Sequence, residues 1–243
     1  MTNFEAGKEF LVQQGLNLLA VFDTSQLPAH VTTPLLQSGV ELENYSRLVL
    51  IGHGGRRLWD VLQQVGMPGD DPVDHFSWEQ TAVFLHDYLH TTNYLQLYPL
   101  TTYPIPLGSL GELAGWSQPS PIGSGINPVY GLWFAYRAAV LVDLPLPLIQ
   151  ENYGERPCAS CQTLDCVSAC PGTAVSAPTN NQIIPIHFSA CAQHRLRPQS
   201  SCATQCLARL ACPIAPEHRY TTEQITYHYQ LSRDSLKKYL VQK

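Results

Sequence analysis

Apolar and polar positions divide the front of the chain into short elements. Phe4, Phe10, Leu11, Leu16, Leu18, Leu19, Val21 and Phe22 predict an amphipathic helix running into a strand, with Gly15 weakening the middle of the helix. Leu48-Val49-Leu50-Ile51 is continuously apolar and predicts a short buried strand. Gly52-His53-Gly54-Gly55 then reads as a tight turn, and Arg56 to Gln64 as a helix. A strand, a glycine-rich turn and a helix can cradle a phosphate. Neither established glycine pattern for that role is present, so a turn with a satisfied His53 is the simpler reading.

Asp71-Pro72 precedes a predicted helix from about Ser77 to Leu89 with apolar positions Trp78, Val83, Phe84, Leu85 and Leu89. Tyr94 to Leu100 alternates as a strand. Tyr103 to Pro128 is rich in Pro, Gly and Ser and predicts a long loop, a feature that is more often functional than idle. Tyr130 to Asp143 is the most apolar run of the front half, and Arg137 sits inside it. An arginine in an apolar strand must find a carboxylate or an anion, because its unpaired charge is expensive to bury. A structural salt bridge and a ligand site both answer that need. Pro145 to Leu148 and Gly154 to Pro157 read as a linker, and Thr221 or Thr222 caps a final helix carrying Ile225, Tyr229, Ser235, Leu236 and Leu240.

Charge separates the two parts. Of 243 residues, 1–150 hold five Lys/Arg against thirteen Asp/Glu, whereas 151–243 hold nine against six. The second part is mildly basic but lacks the dense basic stripe of a strong nucleic-acid binder. No apolar run reaches the roughly 18 residues of a membrane span, and the N-terminus lacks the basic and apolar regions of a signal peptide. A cytoplasmic protein is expected, and in that compartment disulfides are rare.

That expectation bears on the cysteines, which all lie between Cys158 and Cys212. One run holds Cys158, Cys161, Cys166 and Cys170-Pro171; Cys191 stands alone; a second run holds Cys202, Cys206 and Cys212-Pro213. Four thiolates close one [4Fe–4S] cluster, and in two-cluster ferredoxins the cysteine before proline serves the other cluster. That rule assigns Cys158, Cys161, Cys166 and Cys212 to one cluster and Cys170, Cys191, Cys202 and Cys206 to another. The spacing is looser than the compact bacterial pattern, with two extra residues between Cys161 and Cys166. Two four-cysteine zinc sites, or redox-active free thiols, could use the same residues. His187 and His194 flank Cys191 as surrounding residues rather than ligands.

The order of the eight cysteines resembles the ferredoxin-like module of epoxyqueuosine reductases and their reductive-dehalogenase relatives. The front half resembles the CblC-type (MMACHC-like) cobalamin-processing proteins. It does so through Asp71-Pro72-Val73-Asp74, Leu113-Ala114-Gly115, Gly123-Ser-Gly-Ile126-Asn-Pro128 and Tyr130-Gly131-Leu132-Trp133-Phe134-Ala135-Tyr136-Arg137. The late stretch Arg219-Tyr220-Thr-Thr-Glu223-Gln224 resembles a segment near the end of that family.

These resemblances imply an α+β chain. A flavin-reductase-like (nitroreductase-like) α/β domain over 1–150 precedes a two-cluster ferredoxin-like module over 151–215, and a C-terminal helix over 216–243 packs back on the body. They imply cobalamin (vitamin B12) as ligand, two [4Fe–4S] clusters, and a low-potential donor such as a ferredoxin, flavodoxin or reductase. Arg137 would face the corrin cavity or an anion such as glutathione. Trp116 and Trp133 would stack on the macrocycle if they are not core, with Gly115 and Ile126 on the covering loop. Glu112 replaces a family histidine, which puts that histidine's role in doubt here.

The implied activity is a corrinoid-reducing or corrinoid-processing oxidoreductase, and relatives of this kind pair into homodimers. A ferredoxin-like carrier without corrinoid, and an epoxyqueuosine-reductase-like or flavin-dependent reductase, are the alternatives. The short chain and modest positive charge argue against a tRNA substrate.

Overall fold

The computed structural model describes residues 2–67, 69–151, 156–180 and 182–241. It mixes helix and sheet and resolves into two compact units, Met1–Trp116 with Phe134–Tyr153, and Ser117–Trp133 with Gly154–Lys243. The segment 117–133 therefore groups with the cysteine-bearing residues rather than with the front part, to which a boundary near 150 assigned it. Gly154 and Glu155 of the expected linker lie outside the described residues.

The first unit is built on four strands, β1 (Leu18–Asp23), β2 (Arg47–Gly54), β3 (Tyr94–Tyr98) and β4 (Phe134–Val142), in the order β1-β2-β4-β3. Every pairing is antiparallel. Leu48, Val49, Leu50 and Ile51 are all buried, as are Ala138 to Val142 beside them. A continuous apolar strand in an antiparallel sheet means that both of its faces are covered. Helix α4 (Pro72–Val83) packs on β4, and the unit also carries α1 (Asn3–Gln13), α2 (Ala29–Gln37) and α3 (Arg57–Val65). Helix α1 stops at Gly15, whose φ of +83° turns the chain into β1.

Four expectations shift. Gly52, His53 and Gly54 continue β2, and the chain turns only at Gly55 (φ +76°). Glycine at 52 is a packing requirement, because a Cβ there would meet the Ala135 carbonyl at 2.8 Å. Helix α4 begins at Pro72, ahead of the expected Ser77, because proline is preorganised for the first helical position. The expected helix end around Leu89 becomes a π-helical turn over Phe84–Tyr88. Within the expected loop, Leu107–Leu113 forms a short helix, α5.

The register of β2 against β4 breaks at one point. Ile51 faces Ala138 and Gly52 faces Tyr136, so Arg137 is the extra residue of a β-bulge. Bulges re-aim a side chain beside a site.

The second unit has isolated bridges but no named strand among the described residues. Its helices are α6 (Asp165–Ser168), α7 (Phe188–Leu196), α8 (Leu207–Leu210) and α9 (Thr222–Val241). Thr221 caps α9 by accepting the Gln224 amide at 3.1 Å; the Leu240 side chain lies outside the described residues. One core joins Ile126, Leu132 and Cys212 with Ile122, Cys158 and Ile214, and another joins Trp133, Tyr220 and Ile225 with Leu210 and Tyr229.

A repeat is visible in the backbone. Cys170-Pro171 is followed by Thr173 at φ +48°, and Cys212-Pro213 by Ala215 at φ +50°. Non-glycine residues occupy this region only where their surroundings impose it. Both turns follow a one-turn helix, α6 and α8, and these helices pack together. No helix among the described residues is long and apolar enough to cross a membrane.

Candidate metal centre and the Arg137 site

All eight cysteines are free thiols. Burial pushes the Cys158 thiol up to about 11, with Cys212, Cys166 and Cys161 adding to the shift. Burial likewise raises Cys191, with Cys206, Cys170 and Cys202 adding to it and Arg195 opposing. The thiols that feel one another therefore sort into Cys158, Cys161, Cys166 and Cys212, and into Cys170, Cys191, Cys202 and Cys206. Each set draws on both runs. A thiol held protonated by burial among other thiols loses its proton to a bound metal cation, so loading would release protons.

Main-chain amides point at the sulfurs. The Ala174 amide donates to Cys170 Sγ and the Arg209 amide to Cys206 Sγ, each at 3.4 Å. The Ile214 amide donates to Cys212. Donors of this kind favour a charged sulfur. Among the described residues no three His, Cys, Asp or Glu side chains converge on a single-ion position. A four-iron cluster spreads its thiolates wider than one ion does, so the thiol grouping is the relevant test of fit.

A second observation bears on that fit. His194, one turn along α7 from Cys191 and packed over Gly172, has both ring nitrogens buried without a partner among the described residues. A buried imidazole with nothing to bond is costly unless a polar group adjoins it, and a cluster's sulfur atoms would supply one.

Arginines gather in the same unit. Arg209 lies over the Trp133 ring at 4.4 Å and the Tyr220 ring at 5.2 Å, and donates to the Leu132 carbonyl. Arg195 lies over the Tyr229 ring at 4.6 Å. Burial, reinforced by the nearby Cys206, pushes the Tyr229 phenol up to about 12. Its hydroxyl hydrogen-bonds Cys206.

In the first unit the bulge delivers Arg137 to a polar cluster. Arg137 is 8% exposed; its Nε donates to His53 Nδ1 at 2.9 Å and its Nη1 to Asp74 Oδ1 at 3.3 Å. Accepting from a guanidinium fixes His53 as the neutral tautomer with its proton on Nε2. Asp74 stands in the first turn of α4, which the Asp71-Pro72 start places there. Burial raises the Tyr98 phenol, and Asp74 adds to the shift while Arg137 opposes it. Asp74 also lines a cavity of about 620 Å³ with Asp70, Asp71, His75, Trp78 and Gln96. The structural salt bridge foreseen for Arg137 is present.

The other residues expected around a corrin have different surroundings. Trp116 is buried and stacks on Tyr136 at 6.5 Å. Trp133 is buried edge-on to Tyr220 at 5.3 Å in the second unit, and Ile126 packs there with Cys212. Both indoles are buried by this packing. Gly115 has φ +75°, and a Cβ on it would fall 2.1 Å from the Glu151 carbonyl oxygen. Replacing Gly115 with Ala should therefore cost about 3 kcal/mol of stability, read as a lower thermal midpoint.

His53, Asp74 and Tyr98 around Arg137, and Arg195, Arg209 and Tyr229 around the thiols, went unrecognised as partners in the sequence. The acid at 74 had a signal, since an aspartate in a proline-started first turn faces a neighbouring strand's arginine. For Tyr229 only the helical register was available.

No family model and no curated protein matches this chain. Solved structures do match, all at low identity. An epoxyqueuosine reductase solved with a tRNA-Tyr stem loop is 13% identical over 91% of this chain and 68% of its own, with a TM-score of 0.54. That of Streptococcus thermophilus is 12% identical over 87% of this chain and 65% of its own, with a TM-score of 0.50. A catabolic reductive dehalogenase is 13% identical over 96% of this chain and 34% of its own, with a TM-score of 0.54. The B12-trafficking protein CblC of C. elegans is 13% identical over 96% of this chain and 95% of its own, with a TM-score of 0.48, too low to carry weight. Epoxyqueuosine reductases are thus among the structural neighbours, as the resemblance implied. The chain spans about two thirds of the reductases and one third of the dehalogenase. At these identities the likeness establishes fold.

Proposed function

We propose that this chain is a B12-related oxidoreductase that carries two [4Fe–4S] clusters and reduces or processes a bound corrinoid. In this reading the second unit is a two-cluster ferredoxin-like module, and the first is nitroreductase-like. Cys158, Cys161, Cys166 and Cys212 would hold one cluster, and Cys170, Cys191, Cys202 and Cys206 the other. The observation that carries the reading is the sorting of the thiols into two sets of four, each crossing between the runs. Bound clusters supply one-electron transfer, and a bound corrinoid supplies a cobalt able to accept those electrons.

The chain's own residues do the rest. The amides of Ala174, Arg209 and Ile214 support charge on sulfur. Arg137, oriented by His53 and Asp74, offers a guanidinium to an anionic group of the ligand or of a thiol co-substrate. Electrons would come from a donor of the ferredoxin or flavodoxin class.

Anaerobic reconstitution tests the reading. It should give about eight iron and eight sulfide per chain, and added cobalamin should change its visible spectrum on binding. Arg137→Ala should weaken that binding about tenfold, near 1.4 kcal/mol, with iron content unchanged. Cobalamin that leaves the spectrum unaltered well above the protein concentration removes the corrinoid from the proposal.

One observation favours a second reading, a ferredoxin-like carrier without corrinoid. Trp116 and Trp133 are both packed away, and Arg137 already has carboxylate and imidazole partners. Full cluster redox chemistry in a chain indifferent to Arg137→Ala supports it.

A further inference from the structure

The two thiol sets differ in their electrostatic surroundings. Tyr229, on α9, bonds Cys206 through its hydroxyl and receives a hydrogen bond from the Arg209 guanidinium. Arg209 also turns its own amide toward Cys206 Sγ at 3.4 Å. Arg195 closes the other side: it lies 4.6 Å from the centre of the Tyr229 ring and donates to the Tyr229 carbonyl at 3.2 Å. It also donates to Ser232 Oγ at 3.0 Å and to the Cys202 carbonyl at 3.3 Å. Among the described residues neither arginine has a carboxylate within salt-bridge distance. A partly buried guanidinium without an acid needs some other anion nearby. In the first set the surroundings are mixed in sign, since Cys212 feels Arg219 and Asp165 in opposite directions.

We propose that Tyr229, held between Arg195 and Arg209, raises the reduction potential of the cluster carried by Cys170, Cys191, Cys202 and Cys206 above that of the other. A single electron delivered to the chain then comes to rest on that cluster. The proposal rests on the two-cluster reading. Reduction adds one electron from the donor and one unit of negative charge, with no bond broken and no proton required. A hydroxyl aimed at a ligand sulfur and two adjacent guanidiniums stabilise that added charge. Tyr229 is a positioning and tuning residue in this role.

The test is a mediated redox titration of the full reconstituted chain with dithionite, followed by electron paramagnetic resonance. The wild-type chain should show two midpoint potentials, the higher belonging to the signal that Cys202→Ser removes. Tyr229→Phe should lower that potential alone. At a fixed potential its oxidised-to-reduced ratio should change about tenfold, equivalent to ~59 mV for one electron. Arg195→Gln should move the same potential in the same direction, and it decides the matter if Tyr229→Phe fails to take up iron. Variants that leave the higher potential in place, or a higher potential that belongs to the Cys158 set, overturn the inference and leave the two-cluster reading standing. A wild-type chain that binds zinc and shows no cluster signal overturns both.

Discussion

On the two-cluster reading, stripping the iron from the chain should cost its cysteine-bearing unit its structure while the four-stranded sheet persists. Helices α6 and α8 are four residues each, far below the length at which an isolated helix is stable. The unit has no strand ladder among its described residues, and one of its cores includes Cys212 with Cys158 packed against it. Metal binding in such a unit is part of the folding free energy. The sheet of the first unit depends on no cysteine, and its central strands are buried over Leu48 to Gly54 and Arg137 to Val142. Hydrogen exchange after oxidative chelation is the measurement. Amides of α7 and α9 should lose protection by about 10²-fold or more, roughly 3 kcal/mol, while β2 and β4 keep theirs. Equal loss in both units would mean that the iron is not what holds the second together.

The second large effect concerns the crossing of ligands. Under the crossed assignment, Cys212→Ser should abolish the cluster whose other thiols come from the first run, and Cys170→Ser the cluster built mainly by the second. Each variant should keep about half the iron. Double variants make the assignment quantitative, because residues acting as one unit are strongly non-additive. Cys161→Ser added to Cys212→Ser should cost little further iron, whereas Cys206→Ser added to Cys212→Ser should remove nearly all of it. The reverse pattern would assign each cluster to its own run.

Much of this was legible in the residues. Period and apolar runs located α1, β1, β2, β3 and the C-terminal helix, because those elements bury one face or a whole strand. Local pattern failed where tertiary packing decided. Gly52 and Gly54 look like turn residues, yet they are strand positions, and at Gly52 a neighbouring carbonyl comes too close for a side chain. Tyr130–Trp133 continues an apolar run, yet it leaves the strand, because Asn127 accepts the amides of Val129 and Tyr130 and holds a turn. The need of Arg137 for a partner was readable from burial cost alone, but its partners, thirty or more residues upstream in every case, were not. The cysteines stood out by type and spacing. The arginine and tyrosine collar around them did not, since cation–π and sulfur contacts leave no periodic trace.

The sharing of each thiol set between two runs also bears on timing. Under the crossed assignment, the first three ligands of one cluster leave the ribosome 46 residues before the fourth, counting from Cys166 to Cys212. Chains are made from the N-terminus, so neither cluster can be completed on a half-made module. The first complete set to emerge is the one closed by Cys206, the collared set, and the cluster that closes last depends on a cysteine six residues further on. Iron delivered early would meet three ligands of one set and one of the other, with neither set complete. The order of the cysteines thus makes cluster insertion a step that waits for nearly the whole module.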